Sequence, residues 1–279
     1  MSIPPTTSPS AHTDRRSGSR PDTGAAESAQ RPRASVAGHG LRITVDPLRV
    51  DLHDLRHWVE GIDAAGPGLL IIADDSTGGL DAGTLAAWLG PVTRNLTITP
   101  ETPVTHAEPF HLAGATATLD YITHGRAAWA PTVQTTDAQA RLIGRRPAVG
   151  PEGESAAWAE AAQIDGLLER LWLSWDADAV IREQSSGRFI DADRVRYVDF
   201  SGTDSVGGEF SVKGPAIVPR PPQGVLPTVV VLDTPAAEAS APGFADLAVR
   251  VLPVPEAAAP DAQLAGAPAG VTAQRVVAL

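Results

Sequence analysis

Two stretches place hydrogen-bonding or titratable groups just after segments that read as strands. "GLLIIADDST" ends in Asp74, Asp75 and Ser76, and "VTHAEPF" brings Thr105 and His106 to a helix start at Pro109. Histidine changes charge near neutral pH, so His106 suits proton transfer or hydrogen-bond donation, although a lone histidine is more often structural. Asp75 and Ser76 equally suit a loop cap or turn. "DADAV" and "DADRV" pair Asp176 with Asp178 and Asp191 with Asp193. Two acids one residue apart, without a glycine-containing calcium loop, read as solvated turns or helix starts, and no metal site is expected. The chain has no cysteine and no Gly-x-Ser-x-Gly motif, which removes the thiolate chemistries and that nucleophile elbow.

The balance of charge narrows the partners. A formal net charge of −11 argues against broad nucleic-acid binding, which needs a basic surface. No apolar run approaches the roughly 20 residues that span a bilayer, so no membrane role is expected. Arg15–Arg16 is followed by no apolar segment, which removes a twin-arginine export reading. The lack of cysteine suits a reducing cytoplasm, the expected location. Residues 1–40, rich in Ser, Pro, Thr, Ala and Arg and without hydrophobic period, read as a disordered tail.

The elements that must position these groups alternate from residue 41 onward. "LRITV", "GLLIIAD", "NLTIT" and "RAAWAPTV" read as strands. Between them lie the helical patterns "HDLRHWVEGIDAA", "LDAGTLAAWLG" (Asp81 as N-cap, Gly90-Pro91 as stop) and Pro109 to His124. Such alternation implies parallel strands joined by helical crossovers, in a doubly wound sheet or a (β/α)8 barrel. No Gly-x-Gly-x-x-Gly follows the first strand, against a dinucleotide fold. Ser155 to Trp175 is the longest helix, with Ile164, Leu167, Leu168, Leu171, Trp172 and Trp175 in one stripe. Residues 176–227 are rich in turn signals and read as an irregular or hairpin insertion before the fifth strand. "TVVVLD", "LAVRVLPV" and "TAQRVVAL" complete seven candidate strands, one fewer than a closed barrel of this kind needs.

Three segments, in this order, resemble the bacterial luciferase-like flavin-dependent monooxygenases of the nitrilotriacetate monooxygenase branch: "THAEPFHLAGATATLDYITHGRAAW", "LLERLWLSWDADAVIREQSSGRFID" and "GEFSVKGPAIVPRPPQGVLPTVVV". The resemblance covers about residues 41–254 and implies a TIM-barrel-like α/β domain over 41–279, incomplete at about seven strands. It implies reduced FMN delivered by a separate flavin reductase, O2 as co-substrate, a small organic substrate, and a homodimer or larger assembly. Gly125 is then the helix C-cap, at positive φ, and Arg126 enters the fourth strand.

By the same resemblance the flavin contacts fall on Asp74, Ser76, Thr105, His106, Trp129, Ala130, Trp158 and Thr234, with core packing as the alternative for Trp129. No catalytic residue is assigned. The sequence departs from the family pattern at four places. Ala130 stands where relatives often have Asn, and Trp158 where a Tyr helps hold the flavin phosphate. Leu232-Asp233-Thr234 replaces Ala-Gly-Ser, and the second strand lacks the His of some members. These departures keep a second reading open: a degenerate, non-catalytic flavin-binding or structural homologue. Nothing in the sequence identifies the substrate.

Overall fold

The computed structural model describes residues 37–75, 79–143, 146–252 and 266–279; most of the expected tail and Ser76 lie outside them. The first half runs β1 (His39–Val45), α1 (Leu52–Ala64), β2 (Gly68–Ile72), α2 (Ala82–Leu89), β3 (Leu96–Pro103), α3 (Pro109–Ile122), β4 (Ala130–Thr132), α4 (Asp137–Ile143) and α5 (Glu154–Trp172). Two hairpins follow, β5 (Val180–Glu183) with β6 (Arg188–Ile190), and β7 (Asp199–Thr203) with β8 (Glu209–Lys213). These are the insertion expected over 176–227. The barrel then resumes with β9 (Val229–Val231), α6 (Pro235–Ser240), β10 (Leu247–Val251) and β11 (Val271–Ala278).

Seven strands form one sheet in the order β4-β3-β2-β1-β11-β10-β9. The pairs β1–β2, β2–β3, β3–β4 and β9–β10 are parallel, as the alternation predicts. The ring closes through a single bridge between β4 and β9. Trp129 N–H donates to Pro227 O at 3.1 Å, and Val229 N–H donates to Trp129 O at 2.9 Å. The expected incomplete barrel is thus a nearly closed seven-stranded one. Its last strand was not foreseen as antiparallel: β11 runs opposite to both β1 and β10. Antiparallel pairing does not require the helical crossover that each parallel unit needs.

Side chains alternate across each strand, so the sheet has two faces. Leu41, Ile43, Leu70, Ile98 and Val230 pack outward against the helices. Leu69, Ile71, Ala128, Val229 and Val249 fill the lumen. Burying each such Leu or Ile stabilises by about 1.5–3 kcal/mol. The stripe on α5 is buried from Ile164 to Trp172, and Trp172 Nε1 donates to Ala113 O at 3.0 Å. The helix ends at Trp172 rather than at Trp175, whose indole instead donates to Ala216 O at 2.8 Å and so fastens the insertion to the helix end.

Local chemistry fixes the corners. Asp51 caps α1 and Asp81 caps α2. Asp63, buried at the end of α1, accepts from the backbone N–H groups of Arg94, Asn95 and Leu96, which aligns the start of β3. The cap of α3 is Thr123 rather than the expected Gly125; the chain then turns through His124 (φ 55°) and Gly125 (φ 81°), the left-handed region that a residue without Cβ enters at least cost. Arg126 then turns its guanidinium to Leu96 O and Thr93 O, both at 2.7 Å, closing the bottom of the barrel. Among the described residues no helix is long and apolar enough to cross a membrane.

Candidate active site at the barrel mouth

The parallel strands end on one side of the barrel, and there β3, β4, β9 and the first turns of α5 enclose a cavity of about 180 Å³. Its lining includes Glu101, Thr132, Glu154, Trp158, Asp233 and Thr234. The cavity lies where β4 and β9 separate beyond their single bridge at Trp129 and Thr228. A wider groove of about 760 Å³ runs between α2 and α3 on the outside and takes in Glu101 as well.

Glu101 organises the floor. It is 5% exposed, and its two oxygens accept Arg42 Nε at 2.6 Å and Arg42 Nη2 at 2.9 Å. Burial alone pulls the Arg42 guanidinium down, yet the Glu101 carboxylate holds it above its ordinary value. Glu101 also accepts the backbone N–H of Asp74 at 3.2 Å, tying the exit of β2 to β3. Burial pushes the Asp74 carboxyl up to about 6, opposed by the Ala82 N–H and reinforced by Asp81, Glu101 and Asp75. Asp233 is also raised, first by burial and further by Glu154, against its own backbone bond and Arg42.

Trp158 and Thr234 come together on Glu154. Trp158 Nε1 donates to Glu154 Oε1 at 3.3 Å, and Thr234 Oγ1 donates to the same oxygen at 2.5 Å. Thr234 Oγ1 also accepts Ala237 N–H at 3.1 Å as the N-cap of α6, so its hydroxyl is engaged on both sides.

The remaining expected residues are placed differently. Ala130 is buried on the lumen face, in register with Glu101. Trp129, fully buried, packs in the outer layer and donates to Thr228 Oγ1 at 3.0 Å. Thr105 is also fully buried: Thr105 N–H donates to Gln134 Oε1 at 3.1 Å and Gln134 N–H donates to Thr105 Oγ1 at 2.9 Å. His106 is 1% exposed, with neither ring nitrogen hydrogen-bonded. Burial and then Arg146 lower its pKa, against Glu160. Arg146 itself bridges Glu160 at 2.6 Å and Asp204 at 3.1 Å. Neither Thr105 nor His106 lines the mouth cavity.

Sequence reasoning missed Arg42, Glu101 and Glu154. For Arg42 a signal existed: in "LRITV" it alternates with Leu41 and Ile43, which assigns it to the opposite, lumen face.

No family model matches the chain. It is 32% identical over 145 residues to the dibenzothiophene-sulfone monooxygenase of Rhodococcus erythropolis, covering 52% of this chain and 30% of that one. The nitrilotriacetate monooxygenase component A of Aminobacter aminovorans matches to the same extent, 32% over 145 residues and 30% of its length. Over a longer stretch it is 30% identical to a subunit of the pristinamycin IIA synthase of Streptomyces pristinaespiralis: 218 residues, 72% of this chain and 70% of that one. The chain belongs to the luciferase-like flavin-dependent monooxygenases. This luciferase-like chain thus matches under a third of the length of the first two relatives. Solved structures of riboflavin lyase (TM-score 0.60, 20% identity, 68% of this chain and 45% of that one) and of a long-chain alkane monooxygenase (0.59, 20%, 71% and 48%) share its fold.

The luciferase-like family implies a flavin mononucleotide at the mouth, and the described residues do not fit its phosphate. A phosphate dianion there would face Asp233 and Glu154, while Arg42, bound to the cavity-lining Glu101, is held by it on both prongs. Thr234 already spends its hydroxyl on Glu154 and the α6 cap. The cavity is also smaller than the roughly 300–1,000 Å³ of ordinary cofactor pockets.

Proposed function

We propose that this chain is the oxygenating component of a flavin-dependent monooxygenase acting on a small organic substrate with O2. Reduced FMN is supplied by a separate reductase, in the cytoplasm. The observation that carries this reading is the match to the pristinamycin IIA synthase chain over more than two thirds of both sequences. Two relatives are named as one part of a larger enzyme, a monooxygenase component and a synthase subunit, which supports a partner protein. On this reading Asp74, Ser76, Thr105 and His106 are the ring-side contacts the resemblance implies, Trp158 and Thr234 stand at the phosphate-side positions, and Trp129 and Ala130 are the further contacts. A flavin held there would supply the reducing equivalents. Titrating the purified protein with FMN and with reduced FMN, and following flavin fluorescence and O2 consumption, tests it. Saturable binding of reduced flavin with substrate-dependent O2 uptake is expected; neither binding nor uptake would reject it.

A second reading is favoured by the carboxylates and small volume of the mouth: a non-catalytic flavin-binding or structural homologue within a larger assembly, including a homodimer. It predicts no O2 uptake by the isolated chain and a gain in activity or stability when a catalytic family member is added.

A further inference from the structure

The β7–β8 hairpin lies along α5 and is fastened to it at three levels. Arg170 Nη2 donates to Asp199 O at 3.0 Å. Gln163 exchanges two bonds with the Thr203 backbone, at 3.1 and 3.2 Å. At the tip, Glu160 Oε2 accepts Ser205 N–H at 2.9 Å. The first two levels face solvent, whereas Glu160 is buried. Arg146, from the connection between α4 and α5, adds a clasp at that buried end: it bridges Glu160 at 2.6 Å and Asp204 at 3.1 Å. Asp204 in turn accepts the N–H groups of Val206 and Gly208 at 3.0 and 2.7 Å, so the clasp holds the turn of the hairpin.

His106 lies within reach of this clasp. It is buried, and neither ring nitrogen is hydrogen-bonded. Arg146 and Glu160 are the charged groups that act on it, and Asp204 stands on the other side of Arg146. Ser205 Oγ, at the hairpin tip, is likewise buried without a partner. Buried polar groups without partners cost free energy that contact with water restores. Both groups therefore favour an open tip, and the ion bridges oppose them. A proton on His106 tips this balance. An imidazolium needs acceptors for two N–H groups, and the carboxylate that acts on it, Glu160, is already shared by Arg146 and Ser205 N–H. The new cation repels Arg146 and competes with it for Glu160. We infer that the β7–β8 hairpin is an acid-released strap: neutral His106 leaves its tip latched to α5, and protonated His106 frees residues 199–213 while the barrel stays folded. The inference stands on the placement of His106 beside the clasp and does not depend on flavin binding.

The sign follows from the burial of the ring. The His106 pKa is lowered in the latched state, first by burial and then by Arg146, and returns to about 6.5 in water. Latching is therefore favoured above about pH 6.5 and weakens as pH falls.

Hydrogen–deuterium exchange of the full chain without flavin, corrected for the intrinsic rate at each pH, tests this. Between pH 7.5 and 5.5 the opening of residues 199–213 should rise about five- to tenfold, with β1, β2 and β3 unchanged. His106→Leu should flatten that rise. Should this variant not fold, NMR titration of the His106 ring in the unmodified chain replaces it, and the ring and the hairpin amides should share one midpoint below about 6.5. Hairpin exchange that ignores pH, an acid response kept in folded His106→Leu, opening of the barrel strands together with the hairpin, or ring and hairpin midpoints more than about one pH unit apart would overturn the inference.

Discussion

Arg42 on β1 and Glu101 on β3 form a two-pronged ion pair across β2, at 2.6 and 2.9 Å, on the lumen side of the sheet. Removing one partner of a buried pair leaves the other charge unmatched, which costs about 3–5 kcal/mol; replacing both with apolar groups is often close to neutral. Arg42→Met should therefore destabilise by about 3 kcal/mol in urea denaturation, and Arg42→Met with Glu101→Leu by clearly less. A double variant as unstable as the sum of the two single ones would show that the residues act independently.

Trp172 links the longest helix to α3 through its indole as well as by packing. Trp172→Ala should cost about 3–5 kcal/mol, the large-to-small core penalty. Trp172→Phe keeps most of the volume but leaves Ala113 O without that donor, and should cost about 1–3 kcal/mol. A Trp172→Ala protein as stable as the parent in the same denaturation experiment contradicts this placement.

Asp74 gives a pH dependence of defined sign. Its folded pKa of about 6 lies above the ordinary 3.8, so its contribution to stability is full below about pH 4 and is lost as pH rises through about 6. Asp74→Asn removes that loss. Relative to the parent it should gain stability between about pH 4 and 6 and hold the gain above, on the order of 1 kcal/mol after discounting for its half-exposed position. A stability difference that does not change with pH counts against the shift.

His106 has the opposite dependence. Its pKa is lowered by burial and by Arg146, so its contribution is present above about pH 6.5 and is lost as pH falls. His106→Leu should flatten the acid side of the stability profile, read from thermal midpoints between about pH 7 and 5. An unchanged acid limb would place the sensitivity elsewhere.

Much of the fold was legible because it rests on local rules. All seven barrel strands were read from the sequence, and the N-cap at Asp81 and the positive-φ turn at Gly125 follow from residue type, although the cap of α3 falls two residues earlier, on Thr123. The direction of β11 was not legible: "TAQRVVAL" reads the same in either orientation, and its antiparallel pairing with β1 depends on contacts more than 200 residues apart. At the site, the resemblance drew attention to Trp158 and Thr234, which do meet at the mouth. It could not show that Glu154 joins them, because that bond spans 80 residues between Glu154 and Thr234. Nor could it separate Trp129 from Ala130. They are neighbours in sequence, yet strand alternation sends one to the helix layer and the other to the lumen.

A parallel titration of FMN and riboflavin, followed by quenching of flavin fluorescence, tests the proposed flavin site most directly. Asp233 and Glu154 line the mouth cavity together with Trp158 and Thr234, the positions the resemblance gives to the phosphate, and their carboxylates would repel a phosphate bound there. Losing two charge-assisted hydrogen bonds at about 1.5–3 kcal/mol each removes the advantage of FMN. Saturable quenching by both flavins is expected, with dissociation constants within about threefold of each other. FMN bound about a hundredfold or more tightly than riboflavin would refute this, because the chain would then hold a phosphate site other than this mouth.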